Sequence, residues 1–173
     1  MTNQLLADFS LTDDPVNGVV VFTPNPYTRT IKLNWNLNCS KLKDKEVGFH
    51  IHEHQLTSKR PTCDDLGPHW DPTDTRMHGY HLGDLCFNIY FNKHGKSRSS
   101  WISSTDLYDF YNEITNRSLV IHDKRDDKGI LRTNLRKKIL YQKKLTAREL
   151  ESLKTGNAGK RVGCANIVPI KIK

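Results

Sequence analysis

Residues 31–37 read Ile-Lys-Leu-Asn-Trp-Asn-Leu, so that Ile31, Leu33, Trp35 and Leu37 alternate with Lys32, Asn34 and Asn36. Successive side chains of a strand point to opposite faces, and this period of two predicts a half-buried strand with its apolar face on a core. Outward from it, Gln4–Leu11, Val16–Phe22, Glu46–Glu53, Asp84–Asn92, Ser97–Ser104, Ser118–His122 and Arg161–Ile170 are further strand candidates, rich in β-branched and aromatic residues. Turn signals separate several of them, at Asp14–Pro15, Pro24–Asn25–Pro26, His94–Gly95 and Asp126–Gly129. About eight short strands with little helix predict an all-β antiparallel sandwich or barrel.

The chain has 173 residues, the length of one domain, and 36% of them are hydrophobic, too many for a disordered chain. Its apolar stretches, such as Gly18–Phe22, are far shorter than the ~20 residues a membrane-spanning helix needs. Residues 1–14 have neither a basic start nor an apolar core, so no secretory signal is expected and the cytoplasm is the expected location. The formal net charge is +8, but residues 128–154 alone carry nine basic residues against two acids, so the rest of the chain is nearly neutral. Such a segment can bind nucleic acid, touch an anionic surface, steer a small anion or simply be a solvated face. Nucleic acid is the weakest of these, because Tyr141 is the one aromatic residue within 130–148 that a base could stack on.

Two long segments interrupt the strands. Residues 54–83 are polar and hold Pro61, Pro68, Pro72 and several glycines, which predicts a long loop, and loops of that length are usually functional. In the second, 130–156, Thr146 and Glu149 have capping-box spacing and Gly156 supplies a stop, which predicts a short helix at about 147–154.

The histidines carry the chemistry. His50 and His52 are two apart on one strand, so both rings leave the same face. His69, His78, His81 and Asp84 follow in and after the long loop, three imidazoles and a carboxylate suited to a tetrahedral zinc site. His122 ends the apolar run Leu119–Val120–Ile121; taken alone it is a satisfied histidine at the core's edge. A set rich in nitrogen and free of thiolate suits zinc or copper. His54 and His94 are left over, as a loop residue and a turn residue. No G-x-S-x-G or G-x4-G-K-[ST] motif is present, so hydrolase and phosphate-loop readings have nothing to rest on.

The runs Gly48–Phe49–His50–Ile51–His52–Glu53, Gly67–Pro68–His69 and His81–Leu82–Gly83–Asp84 resemble the metal-site motifs of the Cu,Zn superoxide dismutases. Leu119–Val120–Ile121–His122–Asp123–Lys124 with Asp126–Asp127, and Thr155–Gly156–Asn157–Ala158–Gly159–Lys160–Arg161–Val162–Gly163–Cys164, complete the set in family order. The resemblance implies an eight-stranded Greek-key β-barrel, an immunoglobulin-like sandwich with long metal-binding and electrostatic loops. It implies copper held by His50, His52, His69 and His122, and zinc by His69, His78, His81 and Asp84, with His69 shared. Asp126 resembles the carboxylate that links His50 to His78. Arg161 resembles the arginine that binds the anionic substrate, superoxide, and His69 resembles the proton-carrying bridge. Cys63 and Cys164 resemble the family's intrasubunit disulfide, which leaves Cys39 and Cys86 as free thiols. Closing a loop of about 100 residues, that bond stabilises by up to ~4.7 kcal/mol in the chain-entropy model. The implied partners are a second copy of the chain and a copper chaperone.

The sequence departs from the family pattern in four places, one of them His54, which takes a position where an apolar or aromatic residue is common near the subunit contact. The loop is shortened between His78 and His81, which bears on His78 as a zinc ligand; a basic insertion fills much of 130–150; and Asn166–Ile170 is bulkier than the usual dimer segment. The alternative to a dismutase is a related copper- and zinc-binding decoy or chaperone-type protein with weak turnover.

Overall fold

The computed structural model describes residues 4–75, 78–129 and 144–170. Eight strands form one antiparallel sheet: β1 (Leu5–Asp8), β2 (Asn17–Asn25), β3 (Thr30–Asn38), β4 (Lys45–His52), β5 (Asn88–Phe91), β6 (Lys96–Ile102), β7 (Ser118–His122) and β8 (Arg161–Pro169). Their spatial order, β5-β4-β7-β8-β1-β2-β3-β6, curls into a nearly closed barrel whose end strands are joined by the Asn92–Gly95 turn. The order sets β4 beside β7 and β8 beside β1, strands that are not consecutive in the chain, as a Greek-key barrel requires.

β3 behaves as its alternation predicts. Ile31, Leu33, Trp35 and Leu37 are buried, and Lys32 and Asn36 are exposed. β4 and β7 differ, because their described residues are buried on both faces from Val47 to His52 and from Ser118 to His122. Phe49, Ile51, Leu119 and Ile121 belong to the barrel core. The alternate residues His50, His52, Val120 and His122 therefore leave by the other face, which the long loops cover.

Several boundaries move. The first strand ends at Asp8, whose carboxylate accepts from the Ser10 amide at 2.9 Å and turns Phe9–Leu11 into a 3-10 helix. The strand expected from Asp84 begins only at Asn88, because Leu85 and Cys86 take left-handed backbone angles that no strand allows. The elements that lay outside the sequence reading include α1 (Thr105–Asp109) and a 3-10 helix at Tyr111–Asn116, anchored by buried Leu107, Tyr111 and Ile114. The expected helix is present as α2 (Ala147–Thr155), with its Thr146–Glu149 capping box and Gly156 at a left-handed C-cap. Of the basic insertion, residues 130–143 lie outside the described residues. Among the described residues no helix is long and apolar enough to cross a membrane.

Candidate metal centre

The outer face of β4 and β7 supplies His50, His52 and His122, and the loop after β4 supplies His69, His78, His81 and Asp84. That loop returns as a near-continuation of the sheet: the Trp70 amide donates to Ile51 O and the Gly83 amide to Trp70 O, both at 2.9 Å. Gly83 permits this layering, since a Cβ there would stand 2.3 Å from Ile51 O. His69 is thereby laid against His52, and the His78 amide is tied to Leu153 O of α2 at 2.8 Å.

Two groups share His69. Atoms of His50, His52, His69 and His122 lie within 4.8 Å of one another, as do atoms of His69, His78, His81 and Asp84. In the first group His52 Nδ1 meets Gly67 O at 3.0 Å and His122 Nδ1 meets Gly159 O at 3.2 Å, so one nitrogen of each ring is occupied from behind. Among the described residues, their Nε2 atoms, with Nδ1 of His50, are buried without a hydrogen-bond partner. In the second group three Nδ1 atoms converge on Asp84 Oδ1: His69 at 2.7 Å, His78 at 3.0 Å and His81 at 3.1 Å. One oxygen surrounded by three ring nitrogens is a donor set that a cation would organise. His78 reaches this cluster despite the shortened loop.

Asp126 connects the groups. Its Oδ2 meets His50 Nε2 and its Oδ1 meets His78 Nε2, each at 2.8 Å and with all three side chains fully buried. Asn88 holds the Asp126 backbone from both sides, accepting from its N–H at 2.9 Å and donating to its C=O at 3.0 Å.

The electrostatics follow from burial and these pairings. Burial, reinforced by the His50 ring, carries His69 down to about 3. Burial likewise pushes His52 and His122 well below the ordinary histidine value, so all three imidazoles are neutral and able to ligate. Burial also acts on His78, but the Asp126 and Asp84 carboxylates outweigh it and lift the ring to about 9. The same contacts overcome burial at Asp84 and Asp126 and hold both well below the usual carboxylate range.

Arg161 stands opposite His122 where a bulge between β7 and β8 shifts the register. Its half-buried guanidinium donates to Cys63 O at 2.8 Å, Asp64 O at 3.4 Å and Gly67 O at 2.5 Å. Burial lowers it, with Asp64 opposing, but an arginine stays charged. Cys63 and Cys164 are joined by a disulfide, which ties the long loop to β8; of the other two cysteines, Cys39 is buried and Cys86 exposed.

The structure thus brings together every site residue singled out in the sequence. It also places there three that sequence reasoning missed: Asn88 behind Asp126, Asp71 beside His81 and Asp14 against the disulfide. Asp14 and Asn88 come from distant segments, so no local pattern announces them; Asp71, two residues after His69, had only that spacing to offer.

The family model described as copper/zinc superoxide dismutase (SODC) matches residues 16–167. The superoxide dismutase [Cu-Zn] of Paramecium bursaria Chlorella virus 1 is 33% identical over 162 residues, covering 90% of this chain and 74% of the viral protein. Superoxide dismutase [Cu-Zn] 5 of Dictyostelium discoideum is 33% identical over 165 residues, 92% of this chain and 94% of its own. Among solved structures, that of the clock protein EA4 superposes with a TM-score of 0.70 at 25% identity, covering 97% of this chain and 95% of the other.

Proposed function

The chain belongs to the copper/zinc superoxide dismutase family, and from that premise we propose that it works as one unit that disproportionates superoxide to oxygen and hydrogen peroxide. The observation that carries this reading is that three ring nitrogens of the four-histidine set, His50 Nδ1, His52 Nε2 and His122 Nε2, are buried without a hydrogen-bond partner among the described residues. An unsatisfied buried polar atom costs ~1–3 kcal/mol. Three on one face make sense as ligands whose partner is a metal ion.

In this reading His50, His52, His69 and His122 hold copper, and His69, His78, His81 and Asp84 hold zinc. When bound, copper supplies the one-electron couple, and zinc supplies positive charge and holds the loop together. Asp126 orients His50 and His78 from behind. His69, fixed at Nδ1 by Asp84, keeps its other nitrogen for the four-histidine set, where a proton can be held for the peroxide product. Arg161 binds the anionic substrate, and the basic residues of 128–154 draw it in. A second copy of the chain, a copper chaperone and a cytoplasmic location belong to the reading through family membership and the sequence alone.

The test is metal content and superoxide dismutation measured on the same sample after reloading with copper and zinc. One copper and one zinc per chain, with copper-dependent turnover abolished in His122→Ala, is the expected result. Full occupancy without turnover would favour a metal-binding decoy, and failure to hold copper would overturn the reading.

A further inference from the structure

The three imidazoles assigned to zinc offer six ring nitrogens. Three of these, the Nδ1 atoms, converge on Asp84. Of the other three, that of His69 is left to the four-histidine set, and Nε2 of His78 is held by Asp126 Oδ1 at 2.8 Å. The last, Nε2 of His81, faces Asp71, whose Oδ2 lies 3.9 Å away. The His81 and Asp71 side chains are only 10% and 15% exposed, so water screens this approach weakly. Asp71 is itself held in place, its Oδ1 accepting from the Thr73 hydroxyl at 3.0 Å and its Oδ2 from the Thr75 hydroxyl at 3.1 Å.

We infer that Asp71 is a positioning residue for the zinc set, its carboxylate orienting His81 through Nε2. The inference rests on the zinc-holding role proposed above for His69, His78, His81 and Asp84. A cation on Nδ1 draws electron density from the imidazole and makes its Nε2–H more acidic. A carboxylate on the far side favours that polarised ring and raises its basicity toward the metal. At 3.9 Å the effect is one of charge on dipole, not a direct hydrogen bond. The same logic joins Asp126 to His78, so each carboxylate backs one ring of the zinc set.

The test compares the full-length chain with Asp71→Asn, which keeps the shape and removes the charge. Zinc affinity is read by competition with a chromogenic chelator, and the visible band of cobalt(II) reports the set's geometry. Asp71→Asn is expected to weaken zinc by about threefold or more and to shift the cobalt band, with the melting midpoint of the metal-free chain unchanged. Zinc affinity within about twofold of the original chain overturns the inference. So does a weakening that leaves the cobalt band in place or comes with a fall in the metal-free midpoint, for then Asp71 serves loop stability. The underlying reading fails separately: the original chain would take up no zinc, or His81→Ala would hold zinc as tightly as the original.

Discussion

His52 and Arg161 donate to the same atom, the carbonyl oxygen of Gly67, at 3.0 and 2.5 Å. One peptide of the long loop thus fixes both the tilt of a ring in the four-histidine set and the place of the cation beside it. The loop in turn is tied to β8 by the Cys63–Cys164 disulfide, with Arg161 on the same strand as Cys164. Cation and ring are therefore positioned relative to each other by backbone that a covalent bond holds.

Replacing Arg161 with lysine keeps the charge but loses the planar fork that spans three carbonyls. Dismutation by the copper- and zinc-loaded protein is expected to fall by at least about tenfold with copper content unchanged. Pulse-radiolysis rates paired with metal analysis check this, and an unchanged rate would remove Arg161 from the proposed machinery.

Gly156 has φ +65°, and a Cβ there would stand 2.0 Å from Asp126 Oδ1 and 2.3 Å from His78 Nε2. Gly156→Ala must therefore push apart the Asp126–His78 pair as well as strain the helix cap. A loss of about 1–3 kcal/mol is expected in denaturant unfolding, together with poorer zinc retention in metal analysis. Normal zinc content at normal stability would show that the pair tolerates displacement.

Acid should destabilise the metal-free chain. His69, at about 3 when folded, lies below its ordinary 6.5, and His52 and His122 are lowered in the same sense by burial. Stability linked to these rings is present above 6.5 and is lost as pH falls toward about 3. The depressed Asp84 and Asp126 carboxylates add to the acid loss below their ordinary 3.8. His78 acts the other way: raised to about 9, it contributes fully below 6.5 and loses that contribution as pH rises through about 9. Scanning calorimetry of the metal-free protein is expected to find its melting midpoint falling from pH 6.5 toward about 3. A flat profile over that range would contradict the buried, neutral state of these rings.

Asp14 Oδ2 lies 3.0 Å from Cys63 Sγ and 3.5 Å from Cys164 Sγ. A carboxylate there repels an incoming thiolate and disfavours the thiolate that leaves, so it should slow reduction of the disulfide. Asp14→Asn is expected to be reduced by glutathione on the order of fivefold faster, as about 1 kcal/mol of repulsion implies. A time course of thiol alkylation measures this; equal rates at equal folding stability would assign Asp14 to holding the Cys164 amide, 3.3 Å from the same oxygen.

The strands were legible because alternation is a local property: the period of two at Ile31–Leu37 or His50–His52 follows from backbone geometry alone. The helix at Ala147–Thr155 was legible for the same reason, its cap lying within four residues. The ligand candidates were legible as a set through the resemblance their spacing carried, and each ring's residue type already limited the metals it could serve.

Residue order alone did not tell which nitrogen of each ring is free, that Asn88 locks Asp126, or that Asp71 and Asp14 stand where they do. The left-handed turn at Leu85–Cys86, which delays β5, was equally hidden. These depend on contacts between segments tens of residues apart, made only when the barrel closes and the loop layers onto β4. The sequence by itself determined an all-β chain with one histidine-rich face. Tertiary structure decided how that face is wired, because a hydrogen bond's partner is set by distance in space and not along the chain.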